Sequence, residues 1–250
     1  MLTAFIRKLE AFGPLPDGDK RALEQAVGRT RRVGAGRALV REGDRPTECQ
    51  LILQGFAYRH RTLDDGQRQI MSFEIPGDLC DLHGFLLGRA DHAVATLTPC
   101  KVATLPHAVL AGWLEARPAI ARALWRGTLV DAAVFQTWLL NIGRRTARGR
   151  TAHMLCEVLR RLQAVGLAEE NGGTLPIPPA EIADALGLSV VHVNRTLLHL
   201  QGEGLITVDD EQVTVADLPG LRAAGGRTRN QGPGARPADA PNGMGRGGGW

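Results

Sequence analysis

Three textures of apolar and polar positions succeed one another along the chain. Residues 1–28 read as one or two short amphipathic helices, punctuated by Gly13-Pro14 and Pro16-Asp17-Gly18, with Asp17 as a cap ahead of residues 20–27. From Val33 to about Pro106 the pattern changes to apolar runs of strand length. They lie at 38–41, 50–53, 56–61, 68–73 and 93–105, separated by Gly, Pro and Asp turns. Many short strands at this spacing predict an antiparallel sandwich or jelly roll. Helical spacing resumes at His107. Pro118 suits a first helical turn, and Ile120, Leu124, Gly127 or Thr128, Val134, Phe135, Trp138 and Leu139 then form a broad apolar stripe. Asn141-Ile142-Gly143 holds helix-ending residues and is expected to be a hinge. A further helix opens in the arginine run 144–150 and continues through Leu155, Val158, Leu159 and Leu162. Residues 166–179 read as a loop with a short strand at 174–177.

The densest local signal lies at 179–206. A first helix over 180–186 carries Ile182, Ala183 and Leu186 on one face, and Gly187 stops it. Leu188 plugs the turn and Ser189 caps the next helix, where Val193, Thr196, Leu197 and Leu200 recur at helical spacing. Two helices joined by a short Gly-containing turn are the helix-turn-helix signature, whose second helix enters the major groove. The apolar stripe leaves Val190, Val191, Asn194 and Arg195 free to read bases. Arg195 matches the O6 and N7 acceptors of guanine, Asn194 suits adenine or a phosphate, and the valines suit thymine methyl groups. Ser189, His192 and Thr196 are the candidates for phosphate contact and positioning. Residues 205–208 and 213–216, with a polar turn between them, predict a wing hairpin.

Charge and cysteine content change this picture little. A net charge of +4, carried more by Arg than by Lys, is compatible with nucleic acid without requiring it. No apolar run of about 20 residues is present, and residues 1–15 lack the apolar core of a signal peptide, so a cytoplasmic protein is expected. Cys49, Cys80, Cys100 and Cys156 are scattered, with no CxxC pair, and disulfides are not expected. The first arginines, Arg29, Arg31 and Arg32, read as a solvated charged face. No nucleophile–base constellation, Walker loop or paired metal ligands stand out, and no enzyme is expected. After Leu221 aliphatic residues vanish and Gly and Pro dominate, so residues 222–250 are expected to be a disordered tail.

The run from Ala183 through Gly187, Leu188, Ser189, Val193, Asn194 and Arg195 to Leu197 resembles the helix-turn-helix of Crp/Fnr-type bacterial transcription regulators. The N-terminal half resembles the same family's cyclic-nucleotide-binding-type β-roll at Val40-Arg41-Glu42-Gly43-Asp44, Leu51-Ile52-Leu53-Gln54-Gly55 and Phe73-Glu74-Ile75-Pro76-Gly77-Asp78. The resemblance covers about 15–218. It implies an α+β protein with an N-terminal antiparallel β-roll (jelly roll), a long dimerisation helix and a C-terminal winged helix-turn-helix. The corresponding boundaries are 1–28 for N-terminal helices, 29–116 for the β-roll sensor domain and 117–143 for the dimerisation helix and hinge. Residues 144–221 form the DNA-binding domain and 222–250 the tail. The implied function is a homodimeric, sequence-specific transcription regulator on a roughly palindromic duplex, with RNA polymerase as a further partner if it activates. Any effector would act through the β-roll. Val191 stands where many members carry Glu, so their commonest half-site does not transfer.

The phosphate-binding stretch departs from the family. Cyclic-nucleotide binders place Gly-Glu and Arg-Ser or Arg-Thr around residues 76–96, because Arg and backbone amides neutralise the phosphate. Here Cys80-Asp81 stands for Gly-Glu, and Asp91-His92-Ala93 precedes the last strand, with Arg89 earlier. Cyclic nucleotide is therefore not expected. Cys80, Asp81, His83, Arg89 and His92 are the effector-pocket candidates. The spacings of His60, His83, His92 and His107 match no standard zinc pattern, and no metal is assigned. Neither haem nor an iron–sulfur cluster is expected: the resemblance implies clustered N-terminal cysteines for iron–sulfur members, and no cysteine here precedes Cys49. The rival reading is a ligand-binding regulatory module that acts through a protein partner, with the helix-turn-helix as its contact surface.

Overall fold

Short strands need partners, and in this chain the partners lie far apart in sequence. The computed structural model describes residues 2–209 and 211–226. Helices α1 (Thr3–Glu10) and α2 (Asp17–Ala26) lead into a β-roll of two four-stranded antiparallel sheets. One sheet consists of β1 (Thr30–Val33), β3 (Glu48–Gln54), β6 (Leu79–Cys80) and β8 (Cys100–Pro106), in the order β1-β8-β3-β6. The other consists of β2 (Ala38–Val40), β4 (Ala57–Thr62), β5 (Arg68–Glu74) and β7 (Ala93–Thr96), in the order β2-β7-β4-β5. Val40, Ile52, Ala57, Cys80, Val94 and Val102 fill the space between them. Gly55 turns β3 into β4 at φ +84, where an added Cβ would meet the Pro99 carbonyl oxygen at 2.4 Å. Only glycine is accommodated there.

Three sequence expectations change here. The arginines at 29–32 are not simply a solvated face. Residues 30–33 form β1, paired with β8 some 70 positions later, and Arg31 donates to Gln50 at 3.2 Å. The run 93–105 is two strands in opposite sheets, divided by a turn at 97–99. A short helix, α3 (Leu82–Leu87), interrupts the cassette region, capped by Asp81 and closed by Gly88.

Helix α4 (His107–Ala116) turns the chain into the long α5 (Pro118–Arg144). Ile120, Ala123, Leu124 and Trp138 of α5 face inward as expected. Leu139 does not; it is 74% exposed. It belongs to a second apolar stripe with Trp125 and Leu129, on the face turned away from the β-roll. The expected hinge also moves. The helix runs through Asn141 and Gly143 and breaks at Arg145-Thr146. Asn141 is buried and its amide donates to the Arg150 carbonyl at 3.2 Å, which ties the end of α5 to the next helix. A single Gly inside a well-packed helix costs only about 1 kcal/mol.

Helix α6 (Ala147–Ala164), capped by Thr146, is the central beam of the C-terminal domain. Around it lie α7 (Pro179–Leu186), α8 (Val190–Gly202) and α9 (Leu218–Gly225), with the sheet β10-β11-β9 formed by Ile206–Asp209, Gln212–Val215 and Gly173–Leu175. The α9 helix corrects the domain edge at 221. Leu218, Leu221 and Gly225 are buried against α6, so ordered packing passes Leu221. Gly and Ala there serve close helix–helix approach. The remainder of the expected tail, from residue 227, lies outside the described residues.

Candidate nucleic-acid interface and sensor pocket

The helix-turn-helix is built by local chemistry. Pro179 opens α7, and Gly187 closes it in the left-handed region at φ +61. The amide of Leu188 donates back to the Ala183 carbonyl at 3.1 Å. Ser189, with extended backbone, accepts the His192 amide at 3.3 Å and starts α8. Val193, Leu197 and Leu200 are buried among Ile182, Leu186, Leu155 and Val213. That packing turns Val190, Val191, His192, Asn194 and Arg195 to solvent. Val191 is 70% exposed and Leu198, which sequence reasoning passed over, is 67% exposed. Among the described residues Asn194 and Arg195 have no side-chain partner.

Thr196 is a correction. It is 6% exposed, and its hydroxyl donates to the His192 carbonyl at 2.8 Å, so it faces the core rather than a phosphate. Ser189 and His192 remain at the surface.

The arginine run that opens α6 works inside the domain. Arg150 donates to the carbonyls of Arg145 and Leu186 at 2.9 and 3.1 Å. Arg148 makes a two-pronged pair with Glu203, at 3.0 and 2.5 Å. Gln201 accepts the Val208 amide at 3.1 Å and fastens the wing to α8. The reading helix is therefore held from both sides by groups that are themselves satisfied.

Two clamps join this domain to the β-roll. Arg68, on the β4–β5 hairpin, bonds Asp184 of α7 at 2.7 Å and the Tyr58 hydroxyl at 2.6 Å. Arg161 of α6 donates to the Phe73 carbonyl at 2.7 Å and pairs with Asp78 at 2.5 Å, while Lys8 meets the same carboxylate at 2.6 Å. Burial would raise the Asp78 carboxyl, but Arg161 and Lys8 outweigh it and hold it down at about 2. Beside this clamp a cavity of about 260 Å³ opens between β-roll, α5 and α6. Arg59, Trp138, His153 and Glu157 line it. Burial, with Arg145 and Arg160 nearby, lowers His153 to about 4. Sequence reasoning missed this set because its members are spread over more than 90 positions.

The effector candidates fall into three groups. Cys80 is buried in the roll interior, burial pushes its thiol well up, and it serves packing. Arg89 is exposed and donates to the Gly43 carbonyl at 3.1 Å, outside the pocket. His83 and His92 converge, while Asp81 lies at the start of the same helix α3. Asp81 is buried with its backbone at φ +61, caps α3 through the Gly84 amide, and is raised by burial to about 6. His83 stands edge-on to His92, with ring centroids 5.9 Å apart. His92 Nδ1 lies 2.6 Å from an Asp91 carboxylate oxygen.

Of the effector candidates, His83 alone lines the neighbouring small space. The space between α1, α3 and α5 is about 40 Å³, whereas ligand pockets are usually about 300 Å³ or more. Its cations are committed, Lys8 to Asp78 and Arg59 to Glu74 at 2.8 Å. Elsewhere, Cys49 lies 3.6 Å from His107, but burial pushes its thiol up to about 12, far from a nucleophilic thiolate.

A roll of antiparallel sheets, a long helix and a winged helix-turn-helix with an outward reading face define a helix-turn-helix transcription regulator. The Crp-like helix-turn-helix domain family matches residues 149–224, and the cyclic nucleotide-binding domain family matches residues 30–117. The transcriptional activator protein FnrL of Cereibacter sphaeroides is 28% identical over 210 residues, covering 82% of this chain and 84% of that protein. The nitrogen fixation regulation protein FixK of Bradyrhizobium diazoefficiens is 29% identical over 196 residues, covering 76% and 79%. The fold is that of FixK2 from Bradyrhizobium japonicum, with a TM-score of 0.71 at 24% identity over 80% of this chain and 98% of that one. The chain belongs to the Crp/Fnr family of transcription regulators and carries that family's helix-turn-helix DNA-binding domain. Its relatives are transcription regulators rather than enzymes. Among the described residues no helix is long and apolar enough to cross a membrane.

Proposed function

We propose that the protein is a homodimer that reads a two-fold symmetric duplex site with one α8 in each of two successive major grooves. The observation that carries the reading is the outward face of α8, where Asn194 and Arg195 stand free beside exposed Val190 and Val191. In this reading Arg195 bonds guanine, Asn194 bonds adenine, the valines meet thymine methyl groups, and Ser189 and His192 position the helix on phosphates. The dimer is supported by α5. Trp125, Leu129, Ala132, Gln136, Leu139 and Gly143 recur at alternating intervals of four and three, and all six are exposed. That is the spacing of a two-helix seam. One helix-turn-helix reads few base pairs, and two half-sites a helical turn apart supply the rest. The protein works in the cytoplasm without haem, iron–sulfur cluster or cyclic nucleotide, its β-roll answers to another effector, and RNA polymerase is a further partner if it activates. Selection of bound fragments from random duplex DNA at moderate salt tests the reading. A palindromic motif is the expected product. Recovery of no motif, both from purified protein and after addition of cell extract, overturns it.

A further inference from the structure

The stretch between β6 and β7 brings two imidazoles and a carboxylate to one place. His83 sits in the first turn of α3, and Asp91 and His92 lead into β7. Each of the three offers a ligating atom within 4.8 Å of the others. A second observation is independent of that proximity. His92 is only 4% exposed, and Asp91 holds its Nδ1, yet its buried Nε2 has no hydrogen-bond partner. A buried ring nitrogen without a partner costs about 1–3 kcal/mol, so something is expected to satisfy it.

We propose that His83, Asp91 and His92 bind one divalent transition cation per chain, and that this cation is the effector of the β-roll. Two imidazoles with one carboxylate suit Zn²⁺, Co²⁺, Ni²⁺ or Fe²⁺ rather than Mg²⁺ or Ca²⁺, which take oxygen donors. Donors on one such ion stand about 2.0–2.2 Å from it, hence at most about 4.4 Å from one another. Loading therefore requires the donors to draw together and the Asp91 carboxylate to leave His92 Nδ1. Asp91 is exposed and opens the site to solvent. The movement reaches α5, because His83 lines the small cavity together with Leu124, Thr128 and Asp131 of that helix. Those residues lie about a quarter-turn around α5 from Trp125 and Leu129, on the side toward the roll, so an ion that pulls on His83 changes how the long helix rests on the roll. A ligand shifts an arrangement only by binding one form better than another, and the gap between 4.8 Å and the coordination distance supplies that difference.

The regulatory half rests on the DNA-binding reading above; the binding half does not. The test uses tag-free full-length protein, stripped with a chelator and titrated calorimetrically with Zn²⁺. Co²⁺ absorption serves as a second readout. One equivalent is expected to bind, with His83→Gln and His92→Gln each weakening it by more than the roughly 10–100-fold that loss of an outer-shell partner alone produces. Cys49→Ser and His60→Gln are expected to leave it unchanged. Where His92→Gln lowers the melting temperature of the metal-free protein, Asp91→Asn at the exposed position carries the test. No saturable binding, or binding indifferent to these substitutions, overturns the site. Zn²⁺ is then expected to change affinity for the selected duplex in the wild-type protein and not in His83→Gln. Equal affinity with and without Zn²⁺ overturns the effector role, whereas failure of all DNA binding overturns the earlier reading and leaves the ion titration standing.

Discussion

The outer face of α8 and the stretch between β6 and β7 are both incomplete, in opposite ways. On α8 the unpartnered groups, Asn194 and Arg195, are in water, so leaving them free costs nothing until a partner arrives. Everything beneath them is finished: Thr196 bonds its own backbone, Glu203 pairs with Arg148, and Val193, Leu197 and Leu200 are packed. Between β6 and β7 the unpartnered groups, His92 Nε2 and one Asp81 oxygen, are buried, and Asp81 has a positive φ. Left-handed backbone at a residue other than glycine and buried unsatisfied atoms each cost free energy and concentrate at functional sites. One region is a rigid reader that waits for an external surface. The other holds buried polar atoms with no partner inside the fold.

The comparison breaks most visibly at α5. A reader finished on a rigid base still needs a second copy, so Leu129→Asp combined with Leu139→Asp is expected to give a monomer by analytical ultracentrifugation. Operator affinity should fall by about 10²–10⁴-fold as the linked half-site is lost. A dimer that survives this change would remove α5 as the seam. Next in size is Arg195→Ala, expected to cost about 1–3 kcal/mol at the cognate site and to relax preference at one base pair. Equal weakening on all sequences would make Arg195 a phosphate contact.

A third measurement extends the contrast to the buried groups at the domain junction. His153 titrates near 4 when folded, below its ordinary 6.5. The unfolded chain therefore binds its proton first. The associated stability is complete above about pH 6.5 and is lost as pH falls toward 4, by at most about 1.4 kcal/mol per pH unit. Urea unfolding at several pH values should show this slope, and His153→Gln should flatten it. The smallest effect is expected at Thr196. Thr196→Val should leave both DNA affinity and its salt dependence unchanged, because the hydroxyl meets only the His192 carbonyl. A shallower salt slope would return Thr196 to the phosphate contacts.

The reading domain is legible in the sequence because its signals are local. Gly187, Ser189 and the spacing of Val193, Leu197 and Leu200 act within a few residues of one another, and the structure places them as that spacing predicts. The sensor side was only half legible. Its glycine-punctuated strands announced a β-roll, but β1 is four residues with two arginines, and pairing with distant β8 makes it a strand. Asn141-Ile142-Gly143 carried a stop signal that tertiary contact overrode, since Asn141 finds a better use against Arg150.

Local propensity, capping and periodicity thus determined the helix-turn-helix and the residues that α8 turns outward, because each depends on neighbours within one or two helical turns. Only the tertiary structure decided that Arg89 leaves the pocket, that Thr196 turns inward and that His83 meets Asp91 and His92. It also decided that Lys8, Asp78 and Arg161 lock the two halves together. Those outcomes depend on distances between residues far apart in the chain, and such distances exist only after the cores have closed.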